Sequence, residues 1–151
     1  MALLVPHEGD VQLLADLMGG GALENWQLGL FNSNITPIEA NTASDFTAHE
    51  PIFTSYARRT LTRSIGSATW NTPVSQAPSG SPVWSSRSQV GHTQYGSAAQ
   101  LWTCGATGDT VYGYFIIGAT SGKLIAAEAF ATPRTLASGD TLSITPVFEN
   151  A

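Results

Sequence analysis

The chain has 151 residues, a mass of 15.9 kDa and a net charge of −5, with 42% hydrophobic and 11% charged residues. That length suits one ordinary domain without room for a second full core, and a compact chain of this size buries about 70% of its extended surface, so disulfides or a structural metal are not needed. The apolar content excludes a disordered tail, its even spread excludes a membrane protein, and six basic residues against eleven acidic ones exclude the broad basic face of a nucleic-acid binder.

Ser and Thr take 32 positions and Gly another 15, while charged residues fall well below the ~25% usual in soluble domains. This composition is typical of β-sandwiches and barrels, and of proteins whose surface is largely covered by neighbours. Cys104 is the single cysteine, so an intrachain disulfide and a Cys-based zinc site are excluded. The simplest expectation is assembly in a reducing cytoplasm. The opening Met1–Glu8 lacks a basic region, and its apolar run is too short for a signal peptide.

Residues 8–21 read as a short helix, capped by Asp10, with Val11, Leu13, Leu14, Leu17 and Met18 mostly on one face. Gly19-Gly20-Gly21 stops it, since glycine tolerates the left-handed conformation that closes a helix. The period then changes to two: Trp26–Phe31 alternates large apolar with small or polar residues, as a half-buried strand does. Residues 32–51 form a long connection with a helical turn at Asp45-Phe46. Strands are expected at 52–62, beginning Ile52-Phe53-Thr54-Ser55-Tyr56, and around 67–70, and the proline-rich 71–82 reads as a surface loop.

The C-terminal half is clearer. Gln100–Cys104 is a strand, Thr107-Gly108-Asp109 a turn, and Thr110–Ile117 the strongest β signal. Ala119–Gly122 links it as a hairpin to Lys123–Phe130, which Pro133 is expected to break. Ser138-Gly139-Asp140 turns the chain into a last strand, Thr141–Phe148, with Leu142, Ile144 and Pro146 on one face. The expected fold class is all-β: an antiparallel β-sandwich or jelly roll with one short N-terminal helix. An N-terminal arm and helix over 1–21 precedes a β-sandwich domain over 22–151.

Motifs for chemistry are weak. Gly118-Ala119-Thr120-Ser121-Gly122-Lys123 resembles a phosphate loop but lacks one residue between the glycines. Leu124 stands where Ser or Thr should bind magnesium, and no helix follows. His7, His49 and His92 are far apart without metal-ligand spacing, no Gly-x-Ser-x-Gly elbow is present, and Cys104 at the end of an apolar strand reads as a buried inert thiol. No catalytic residue, metal site or cofactor is therefore expected. Trp26, Trp70 and Trp102 read as core, whereas Trp84 and Tyr95, among loop-forming residues, are candidate surface ligand contacts. Tyr112 and Tyr114 share parity and are expected side by side. Glu128 is the odd acid on an apolar strand: either it pairs with Arg58, Arg59 or Arg134, or it is an exposed charge guarding an edge.

Val5-Pro6-His7-Glu8-Gly9 before a Leu-rich helix, then Trp26–Pro37, together resemble small virion proteins of tailed bacteriophages, as do Val111–Phe115, Ala127–Phe130 and Leu136–Pro146. The resemblance implies a non-enzymatic structural protein, most often a capsid decoration (cement) protein on the outer surface of the head, made in the host cytoplasm. It implies partners in the major capsid protein and in other copies of the chain, as a homotrimer, with neither nucleic acid nor membrane as partner. The alternatives are a tail or fibre-tip component, or a carbohydrate-binding module contacting the host surface. From the residues, Leu3, Leu4, Val5, Leu13, Leu14, Leu17 and Met18 are the candidate assembly residues. A helix this short is marginal in water, and a triple glycine separates it from the first strand, so it is expected to dock on a neighbour and to stand apart from the sandwich core.

Overall fold

The computed structural model describes residues 3–19, 23–63, 74–76, 92–96 and 99–149. The period-two run after the glycines forms β1 (Trp26–Phe31), as its alternation requires. Its neighbours are β2 (Arg59–Leu61) on one side and β6 (Asp109–Gly118) on the other, and β7 (Leu124–Leu136) follows β6 at the edge of this four-stranded sheet. Further along the chain, β3 (Val74–Gln76) pairs with β4 (His92–Gly96), and β4 with β9 (Val147–Glu149). The remaining pair is β5 (Gln100–Thr103) with β8 (Thr141–Ile144), and every pairing is antiparallel. With α1 (His7–Leu17) and the short α2 (Ala43–Thr47), the fold is mostly strand, as expected of an all-β chain.

Both faces of the four-stranded sheet are covered. On one, Trp26, Leu28 and Leu30 join Trp102, Cys104, Leu142 and Ile144 in the main core. On the other, Phe31, Phe115 and Leu124 meet Phe46 of α2. Gly29 is required there: a β-carbon on it would lie 2.4 Å from the Phe115 ring. α2 starts where Asp45 accepts the Thr42 amide (2.8 Å), the reach-back of a capping box.

Several expectations are corrected. α1 begins at His7, so Asp10 lies within its first turn rather than at the cap; its amide donates to the Pro6 carbonyl at 3.0 Å. Ile52–Tyr56 is a turn, not a strand, because Ser55 takes a left-handed φ of 80° that ends extended backbone. Within 71–82, Val74–Gln76 pairs with β4 instead of looping. Pro133 does not break β7. The register slips between Ala129, opposite Gly113, and Arg134, opposite Val111, and Pro133 falls in that slip, where the ladder needs no donor. The same slip separates Tyr112 from Tyr114: Tyr114 joins the main core, whereas Tyr112 packs against the Phe31–Phe115 cluster. The last strand divides at Thr145-Pro146 into β8 and β9, which pair with different partners. The strand expected around 67–70 lies outside the described residues.

Candidate functional site

α1 lies against β7, and its inward face explains how. A β-carbon on Gly9 would sit 2.3 Å from the Ile125 carbonyl oxygen, so only glycine lets the helix approach this closely. Glu8 accepts from the Leu124 amide (2.9 Å), the Lys123 ammonium (3.0 Å) and the Ala43 amide (3.3 Å), tying α1 to the β6–β7 hairpin and to α2. Burial pushes the Glu8 carboxyl up, but these donors outweigh it and hold the group below its ordinary value. At the other end Asp16, nearly buried, pairs with Arg63, whose guanidinium lies 4.5 Å over the Trp26 ring. Gly19, at φ 74°, then closes the helix.

The expected assembly residues therefore divide. Leu3 and Leu13 pack against the main core, and Leu4 exchanges two backbone hydrogen bonds with Ala127 at 3.0 and 2.9 Å. Val5 is half-buried. The expectation that the segment stands apart from the core is corrected: it is docked on its own sheet. Leu14, Leu17 and Met18 instead face solvent, at 60%, 81% and 78% exposure, together with Val11 at 70%. Val11 was missed as a site residue, although its i, i+3, i+7 spacing with Leu14 and Met18 places the three on one face. Asp10 and His7 are exposed on the same helix, and His7 lies 3.7 Å from Glu39.

The other candidates are resolved by their partners. In the hairpin turn after β6, Glu24 accepts from the Thr120 amide (2.6 Å), the Ser121 amide (2.8 Å) and the Ser121 hydroxyl. The amides that resemble a phosphate cradle thus hold the chain's own carboxylate, and Lys123 is held by Glu8. Burial raises the Glu24 carboxyl, but its Ser121 and Thr120 donors bring it below its ordinary value. Cys104 is buried, its thiol directed at the Thr107 carbonyl at 3.3 Å. Arg58 pairs with Glu50 and Arg59 donates to the Leu101 carbonyl at 2.6 Å. Glu128 has a partner the sequence did not suggest, the Tyr114 hydroxyl at 2.6 Å. Trp26 and Trp102 are buried in the core, as expected. Trp70 and Trp84 lie outside the described residues, and Tyr95 is placed on β4 opposite Phe148.

Among the described residues no three His, Cys, Asp or Glu gather as a group that could hold a metal ion, and no helix is long and apolar enough to cross a membrane. Comparison of the sequence with protein-family models and with curated proteins gives no match.

Proposed function

We propose that the protein is a non-enzymatic structural component of a tailed-phage particle, a decoration protein that stabilises the head from its outer surface. In this reading its partners are the major capsid protein and further copies of itself, assembled as a homotrimer, and the β5–β8 pair closes over the four-stranded sheet as a sandwich or jelly roll. The observation that carries the reading is the outward face of α1. Val11, Leu14, Leu17 and Met18 are 60–81% exposed on a helix whose other face is fixed to β7. Apolar side chains held in one geometry and left in water mark a contact surface.

Its size also fits. At this exposure, covering each side chain contributes about 1–2 kcal/mol, and the stripe supplies on the order of 300 Å² of apolar area. A stable two-body complex needs about 800 Å² from each partner. The stripe therefore suits one contact among several on a repeating shell better than a lone dimer interface. An electron cryomicroscopy map of the particle tests the proposal. Density for this chain on the outer surface of the head supports it, and density confined to the tail, or no density on the particle, overturns it.

A further inference from the structure

Where β7 slips register against β6, its side chains from Ala131 to Thr135 all become exposed, and a hollow opens between β7 and β8. Among the described residues none of α1 lines this hollow, and a ligand there does not require the function proposed for that helix. We propose that the hollow binds one ring of a polyhydroxylated ligand, a sugar unit, through Glu128, Phe130, Thr132, Arg134 and Ser143. Among the described residues these five line it together with Ala131 and Leu142, around a volume of about 260 Å³. That is smaller than the roughly 300–1,000 Å³ of sites for drug-sized molecules. A second depression of about 540 Å³ adjoins it along β7 and β8, sharing Arg134, Leu142 and Ser143, so a neighbouring unit of a longer glycan has room.

The chemistry selects the ligand class. Glu128 is held at the hollow's wall by the Tyr114 hydroxyl, 2.6 Å away, and Tyr114 itself is only 5% exposed. Burial and the bond to Glu128 push the Tyr114 phenol well above its ordinary value, so it remains the donor and Glu128 the fixed acceptor. Arg134 supplies donors only, and Thr132 and Ser143 supply groups that both donate and accept. Among the described residues the lining thus sets a fixed acceptor beside fixed donors. Paired acceptors and donors match hydroxyl groups, which do both. Phe130, half-buried with its ring 6.2 Å from that of Tyr114, adds an apolar wall for the C–H face of a sugar.

The test is saturation-transfer NMR on the intact chain with glucose, galactose, mannose, N-acetylglucosamine and rhamnose, each at millimolar concentration. Transfer to at least one sugar is expected. Arg134→Ala, at an exposed position, and Glu128→Gln, which can still accept from Tyr114, should each weaken that sugar at least tenfold. Val11→Ala, on the far helix face, should leave it unchanged. If Glu128→Gln fails to fold, Arg134→Ala alone decides. Transfer to none of the five sugars overturns the proposal, as does transfer that Arg134→Ala leaves intact, or tighter binding of free glutamate or arginine than of any sugar.

Discussion

Replacing Gly9 with alanine tests how α1 is fixed to its own sheet. In a solvent-exposed helix the change is favourable by up to about 1 kcal/mol, because glycine is the poorer helix former. Here the added β-carbon would stand 2.3 Å from the Ile125 carbonyl oxygen and 3.0 Å from that of Leu124, whereas ordinary contact begins at 3.4 Å. Both atoms belong to strand backbone that cannot rotate away. The helix must therefore withdraw by about 1 Å, loosening the Glu8–Leu124 bond and the packing of Leu13. Overpacking costs about 1–3 kcal/mol, and a 2.3 Å approach to strand backbone falls at the upper end, about 2–3 kcal/mol. Set against the propensity gain, the expected net loss is about 1–2 kcal/mol, a fall in Tm of roughly 2–8 °C for a chain of this size. Thermal melting by circular dichroism measures it, with Val11→Ala on the exposed face as a control expected within about 0.5 kcal/mol of the parent. Hydrogen exchange should also show the α1 amides exchanging faster in Gly9→Ala. A Tm equal to or above the parent's, with unchanged exchange, would refute the docked geometry.

Trp102 is fully buried and its indole N–H donates to the Ala57 carbonyl at 2.8 Å; Trp102→Ala should lose about 3–5 kcal/mol in denaturant unfolding. The Tyr56 hydroxyl accepts the Leu30 amide at 3.0 Å, beyond the last β1–β2 pair, and donates to Glu50. Tyr56→Phe should therefore cost about 1–3 kcal/mol, read in the same assay, by leaving that amide unpaired. Glu8 and Glu24 are held below their ordinary value of 4.5, so their contribution is present above that pH and lost as pH falls through the folded-state values. The Tm difference between parent and a Glu8→Gln, Glu24→Gln double variant should thus be full at pH 7 and shrink below pH 4.5.

Where local pattern and tertiary environment agree, the sequence was legible. β1 spans Trp26–Phe31 as its alternation predicts, although five of its six residues are buried where a half-buried strand is expected, because Phe46 of α2 covers the second face. Gly122 and Gly139 turn the chain at φ 65° and 89°. The misreadings have a common origin in pairing that is not local. Pro133 looks like a strand breaker until the register slip removes the need for its N–H. Ile52–Tyr56 has strand composition, but Tyr56 serves β1 through its side-chain hydroxyl rather than its backbone. For the site, helical spacing identified an apolar stripe without telling which side faces the sheet. The deciding residue is Gly9, whose missing side chain gives no hydrophobic signal. Glu128 was conspicuous as an acid, but its partner Tyr114 lies directly opposite across the β6–β7 ladder, a contact fixed by register.

The central claim is that the outward face of α1 holds the protein on the particle. Co-sedimentation with particles assembled without the protein tests it, comparing the parent chain with a Leu14→Asp, Leu17→Asp double variant. Both positions are exposed, so the variant should melt within a few degrees of the parent. With two apolar contacts replaced by buried charge, its affinity for the particle should fall about 100-fold or more, which corresponds to about 2.7 kcal/mol. A folded variant that still co-sediments at the parent's affinity would contradict the account.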